Sequence, residues 1–289
     1  MLRLICAACL LFCALSGWAQ NISLQDDRGV TVSLTQPARR IVSLAPHVTE
    51  LVFAAGAGAY LVGVTAFSDY PPEAKRIPSL GDAGKVDVER ILALKPDLVI
   101  AWQSGNHAGD MAQLESLGVR LFVTEPRRLQ DIPRLMREIG LLAGTDNKSA
   151  TAAAAFQRRA AELRKAFASR RPVSVFYQIW DVPLMTVNGE HLINDVIELC
   201  GGRNVFAGLP GLTPAVVTES VVALDPEVLV ASGSLFRNEQ VWDKWRRFSG
   251  MRAVRKRQLY FIHPDLIQRQ TPRILQGAEQ LCKQLEHAR

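Results

Sequence analysis

Ser43, His47 and Glu50 fall together in SLAPHVTE, and their side chains are the types that serve as nucleophile, base and orienting acid. A hydrolase normally gathers such a triad from separate loops, and helix capping by Ser43 or Thr49 accounts for hydroxyls at this place more simply. The nucleophile elbow G-x-S-x-G is absent, as are G-x-x-x-x-G-K-[ST] and H-E-x-x-H, and no G-x-G-x-x-G follows the first strand. His47 lies directly beyond that strand, where it could cap, hydrogen-bond or reach the metal of a bound ligand. His107 and His263 are weaker candidates. A cleft enzyme is therefore the less favoured reading, and no catalytic residue, resident metal or cofactor is expected.

Another pair of carboxylates recurs at long range. VERILALKPDLVIA (88–101) and TESVVALDPEVLVA (218–231) each carry a glutamate second, Ala-Leu at the sixth and seventh places and a proline ninth, followed by an apolar run. This layout predicts a short helix beginning near Glu89 or Glu219, stopped at the proline, and then a strand buried on both sides. Short β-rich runs at 40–44, 61–64, 97–102 and 120–124 alternate with helical patterns at 49–55, 88–94 and 110–117, as parallel βα units require. A second set follows: a strand from 172, a helix over 192–199, the repeat at 218–231, a helix near 240–248, a strand over 258–262 and a closing helix over 272–285. Between the sets, DNKSATAAAAFQRRAAELRKAFAS (146–169) has no glycine or proline and reads as one helix, about 30 Å long at 1.5 Å per residue. The expected fold is α/β: two similar βα lobes with central parallel sheets, 20–145 and 171–289, joined by one long rigid α-helix at 146–170.

The 289 residues are 48% hydrophobic, enough for a large core. The first twenty, MLRLICAACLLFCALSGWAQ, combine Arg3, an apolar run and the small residues Gly17 and Ala19, so residues 1–19 read as a secretory signal peptide. The run is shorter than the roughly 20 apolar residues a membrane span needs, and the mature chain is expected to be exported and soluble. Loss of the leader removes Cys6, Cys9 and Cys13, leaving Cys200 and Cys282, which suit a single disulfide better than a metal site. The 34 basic and 28 acidic residues give a net charge of +6, lowered by one without Arg3. The basic clusters lie on amphipathic helical segments without an aromatic platform or recognition motif, which argues against nucleic acid.

Open α/β sheets bind ligands beyond the carboxyl ends of their strands. The loops expected there are rich in aromatic and polar residues, and Phe67, Tyr70, Trp102, Trp180, Met185 and Phe236 could line a cleft for a large, partly apolar ligand.

Residues 39–286 resemble the periplasmic cobalamin-binding proteins of ABC importers, within the helical-backbone class that also carries haem and iron-siderophores. The resemblance rests on SLAPHVTELVFAAG, SDYPP, ERILALKPDLVIAW, SLGV, NDVIELCGGRNVF and a late TPR followed by QLC. It implies two lobes on a helical strut with modest closure, a Cys200–Cys282 bridge, and capture of cobalamin or another corrinoid for an ABC permease dimer with its ATPase subunits. By position it implies ligand contacts at Pro46, His47, Phe67, Tyr70, Ile179, Trp180 and Asp265. It also implies that Glu89 and Glu219 meet arginines of the two permease subunits. The sequence departs from the family at Ala83 and Thr213, where tryptophans pack on the corrin, a contact that Trp102 and Trp180 could take over. Haem or an iron chelate remains the alternative ligand.

Overall fold

The structure is a computed structural model that describes residues 21–233 and 240–289. The expected signal peptide and its three cysteines, together with Phe236, lie outside the described residues.

Among the described residues the first elements form an antiparallel hairpin, β1 (Ile22–Gln25) and β2 (Thr31–Leu34). The first lobe continues through β3 (Ile41–Ser43), α1 (Pro46–Ala54), β4 (Leu61–Val64), a small hairpin of β5 (Gly81–Asp82) and β6 (Lys85–Val86), α2 (Val88–Ala93), β7 (Leu98–Trp102), α3 (Ala108–Ser116), β8 (Leu121–Thr124) and α4 (Asp131–Ala143). The connector is α5 (Asp146–Phe167). After it come β9 (Val173–Gln178), α6 (Leu192–Leu199), β10 (Gly202–Asn204), α7 (Thr218–Leu224), β11 (Val228–Ala231), α8 (Asp243–Arg246), α9 (Arg252–Arg255), β12 (Leu259–Phe261), α10 (Pro264–Ile267) and α11 (Ile274–Ala288).

The two halves repeat one topology. The first sheet runs β4-β3-β7-β8 and the second β10-β9-β11-β12, all parallel, so α2 and α7 each precede the third strand of their lobe. The repetition reaches the backbone: Lys95 and Asp225, each just before a proline, are left-handed at φ 45° and φ 40°. A proline disfavours the right-handed helical region for the residue before it, and the left-handed turn ends the helix there.

Alternation along the strands divides the core. Ile41, Ile100, Val175 and Val230 face one way into a single apolar cluster that also takes in Phe156 and Leu163 of α5 and Leu281 and Leu285 of α11. Their neighbours Val42 and Val99 face a second cluster under α2 and α3, and Phe176 and Leu229 a third around Trp245. One core thus passes through both lobes and the connector. In α5, Asp146 sits in the first turn and Arg164 and Lys165 in the last, matching the helix dipole. Its buried Ser149 presses so close to α4 that a Cβ at Gly140 would lie 2.0 Å from Ser149 Oγ.

Two local expectations are corrected. The first helix starts at Pro46, whose fixed φ and missing N–H suit a first helical position, and its N-cap is Ala45 without a side-chain cap. Ser43 and Thr49 are not caps: Ser43 Oγ and Thr49 Oγ1 lie 2.9 Å apart, and Thr49 donates to Ser68 Oγ at 3.0 Å, making a buried chain of hydroxyls. The helix expected near 240–248 is a 3-10 turn over Gln240–Trp242 followed by α8.

Cys200 at the end of α6 is bonded to Cys282 of α11, at a sequence separation of 82 residues. Closing a loop of that length restrains the unfolded chain. The double variant Cys200→Ala/Cys282→Ala should lose about 2–5 kcal/mol in urea unfolding, and an unchanged midpoint with an unchanged slope would show that the bridge does not stabilise the fold.

Candidate functional site

In each sheet the strand order reverses between the first and third strands, β3 and β7 in one lobe, β9 and β11 in the other. The crevice outside the carboxyl ends at such a switch point is where open α/β sheets hold ligands. Trp102 ends β7 at the first switch point, and Ile179 follows β9 at the second. Both line one inter-lobe cavity of about 360 Å³. Ser104, Glu125, Pro126 and Arg127 complete its first-lobe wall, and His191, Leu212, Thr213, Gln268 and Gln270 supply most of the second.

Trp102 is held by groups the sequence patterns did not single out. Buried Asn106 accepts from Trp102 N at 2.7 Å and donates to both Leu44 O and Ala83 O at 2.7 Å, so one amide ties together three loops. A Cβ at Gly105 would fall 1.8 Å from the Trp102 ring, so only glycine leaves room for that ring position. Beneath lies His47, edge-on to Trp102 with centroids 5.0 Å apart and an interplanar angle of 85°. His47 is buried, its Nε2 has no partner, and it does not line the cavity. Burial, aided by the charge of Arg269, lowers its pKa to about 3, so it is neutral at ordinary pH.

On the opposite wall, His191 Nδ1 accepts from Ile193 N at 3.1 Å, which leaves the proton on Nε2. Burial lowers this pKa to about 4. Gln268 donates to Ser232 O at 3.0 Å. The cavity lining therefore joins aromatic and aliphatic surface to neutral donors and acceptors, with Glu125 and Arg127 at one edge only 3.7 Å apart.

A cluster of charge fastens the lobes together beside this cavity. Glu50 of α1, 2% exposed at its side chain, receives Arg273 Nε at 2.8 Å and Arg269 Nη1 at 3.0 Å, from residues 223 and 219 positions later. Arg269 also reaches Asp69 at 2.9 Å and Asp265 at 3.0 Å, and Arg273 stacks on Tyr70 at 4.0 Å. The sequence signal for this cluster was an acid in SLAPHVTE and two arginines in QRQTPR, with nothing in either segment to pair them.

The predicted ligand residues thus separate into groups. Trp102, Ile179 and Thr213 meet in the cavity. Pro46 begins α1 and Ala83 lies in the β5–β6 turn, both half-buried. Phe67, Tyr70 and Trp180 are exposed by 73%, 42% and 40%. Met185 pairs with Trp180 and Ala215 through isolated bridges, and the Asp265 carboxylate is engaged by Arg269. Glu89 and Glu219 each stand exposed in the first turn of their helix, and neither forms an ion pair among the described residues. Ser43 Oγ donates to Ala45 O at 3.0 Å and Glu50 is held by two arginines, so the three side chains of SLAPHVTE do not form a relay. Among the described residues no group of three or more His, Cys, Asp or Glu could hold a metal ion, and no helix is long and apolar enough to cross a membrane.

Both histidines stay neutral when folded but take up a proton near pH 6.5 when unfolded. Stability is therefore full above about 6.5 and falls as pH drops towards 4, by about 1.4 kcal/mol per pH unit for each histidine. Chemical denaturation across this range should show that decline, and His47→Gln should flatten it; an unaltered slope in the variant would remove His47 from the account.

Comparison with known proteins agrees with this architecture. Residues 41–266 match the family model described as periplasmic binding protein. A vitamin B12-binding protein of Vibrio cholerae serotype O1 is 36% identical over 252 residues, 87% of this chain and 91% of that protein. The crystal structure of the periplasmic vitamin B12 binding protein BtuF of Vibrio cholerae superposes with a TM-score of 0.80 at 36% identity, over 87% of this chain and 98% of that one. The periplasmic heme-binding protein RhuT from Roseiflexus sp. RS-1 in apo form gives 0.74 at 27% identity, over 87% and 100%. Two lobes of one topology, a helical connector, a cleft at paired switch points and these matches together establish that the chain belongs to the periplasmic binding protein family.

Proposed function

We propose that this chain is a periplasmic solute-binding protein that captures cobalamin or a related corrinoid between its lobes and hands it to an ABC permease. The observation that carries the proposal is the cleft at two facing switch points, apolar on Trp102, Ile179 and Leu212 and neutral-polar on Thr213, His191, Gln268 and Gln270, in a chain 36% identical to vitamin B12-binding proteins. A corrin is an apolar disc rimmed with amide side chains. Glutamine amides, a hydroxyl and an imidazole N–H meet such a rim without demanding a charge, and each leaves fewer unpaired groups on burial than a carboxylate or an ammonium would.

The cavity is at the small end of the roughly 300–1,000 Å³ usual for clefts that hold drug-sized ligands. A macrocycle would therefore extend past it, onto the exposed rings of Phe67, Tyr70 and Trp180. The continuous core and the Glu50 clamp leave only small tilting of the lobes, which lowers the ordering cost of capture. With the proton of His191 on Nε2 and His47 outside the cavity, neither histidine is poised to ligate the iron of a haem, so the corrinoid is favoured over haem.

The two glutamates fit transfer rather than capture. They occupy equivalent places in two copies of one fold, both exposed and unpaired, as a receptor of two like subunits with basic contacts would need.

Titration of the purified protein with cyanocobalamin, haemin and a ferric chelate should show corrinoid binding with Kd below about 10 μM; haemin alone binding at that strength would reassign the ligand. Trp102→Ala should raise Kd about tenfold or more, because an aromatic ring contributes 150–250 Å² of burial. In vesicles carrying the permease and its ATPase, Glu89→Ala and Glu219→Ala should cut transport about tenfold or more each while Kd stays within about twofold. A matching rise in Kd would return both residues to a structural role.

A further inference from the structure

Phe67 carries the most exposed aromatic ring among the described residues, at 73%, on a backbone at φ 64°. A bulky residue in the left-handed region is rare, and it persists only where its surroundings impose it. Part of the imposition is local: Ser68 N donates to Thr65 O at 3.3 Å, Asp69 N to Phe67 O at 3.0 Å, and Ser68 Oγ is anchored to Thr49. The rest comes from the other lobe. Arg269 donates from Nη2 to Phe67 O at 3.2 Å and from Nη1 to Asp69 Oδ1 at 2.9 Å, while the same Nη1 reaches Glu50 at 3.0 Å. One guanidinium from the second lobe therefore grips the Phe67 turn at two points, the Phe67 carbonyl and the Asp69 carboxylate. Its chain neighbours Gln268 and Gln270 line the cavity wall, so the turn is fastened beside the cleft.

We infer that Arg269 is an inter-lobe positioning residue, holding the Phe67 turn and its exposed ring beside the cleft only while the lobes are together. Parting the lobes would take Arg269 away from Glu50, Asp69 and Phe67 in one movement. The turn would then keep only its local bonds, and the ring would cease to be offered at a fixed place. Arg273 would not replace it, because its contacts go to Glu50 and the Tyr70 ring. Lobe separation would thus both widen the cleft and withdraw one of its rims. This consequence for release rests on the proposed corrinoid reading; the hold on the turn does not.

The inference is tested in two arms on the full mature protein. In the first, amide hydrogen exchange of residues 66–70 is followed without ligand. Arg269→Gln should exchange about tenfold faster there, and so should Asp69→Asn, to a smaller extent. Arg159→Gln, which breaks a pair with Glu279 at 2.7 Å away from the cleft, should not. Arg273 still holds Glu50 by two bonds in Arg269→Gln, so the fold should survive; Arg269→Lys, which keeps the charge but not the fork, should match the glutamine variant at the turn. Unchanged exchange in both Arg269 variants overturns the inference. In the second arm, cyanocobalamin dissociation is measured in Phe67→Ala, Arg269→Gln and the double variant. The expected result is that each single change speeds dissociation and the double change is no faster than the worse single one. Additive effects overturn the coupling, whereas a wild-type protein that exchanges as expected but binds no cyanocobalamin removes the ligand assignment and leaves Arg269 as the holder of the turn.

Discussion

A carboxylate with 2% of its side chain exposed needs compensating charge, and among the described residues Glu50 finds it in Arg269 and Arg273, on the far lobe. Removing the partners of a buried charge costs about 3–5 kcal/mol, a large share of the 5–15 kcal/mol by which a domain is stable. Much of the site depends on that meeting. It permits His47 through Val52 of α1 to be buried together, keeps Arg269 near enough to His47 to oppose its protonation, and seats Tyr70 under Arg273. The connector helix fixes one edge of the lobe pair and the clamp a second, so the cleft has a defined width before any ligand arrives.

Much of the scaffold was legible because it obeys local rules. The doubled helix-proline-strand pattern marked the third strand of each sheet, and the long alanine-rich stretch gave a connector over Asp146–Phe167. Cys200 and Cys282, expected to pair, are bonded to each other. The first hairpin was not foreseen, since its strands have only four residues each. The start of α1 was displaced because Pro46 was read as part of a loop when it is a good first residue of a helix.

The site was less legible, for a reason of distance. Trp102, Ile179 and Thr213 stand where strand ends place them, but Asn106 does its work by joining three loops far apart in sequence. Glu50 and its arginines are separated by more than 200 residues, and no periodicity connects them. His191 was invisible for another reason: its tautomer depends on one backbone N–H at the start of α6. Local spacing reports which face of an element is buried, not which distant group will lie against it.

The shared core also bears on the order in which the chain can mature. A polypeptide that emerges N-terminus first has all of its first lobe available early. Yet Glu50 must wait for Arg269 and Arg273, and Cys200 for Cys282, while Leu281 and Leu285 join the apolar cluster that extends to Ile41 and Ile100. This late segment is thus a keystone for the first lobe, and a chain cut short before it would keep open surfaces on both lobes, exposed to proteolysis at the stage when the longer chain has closed them.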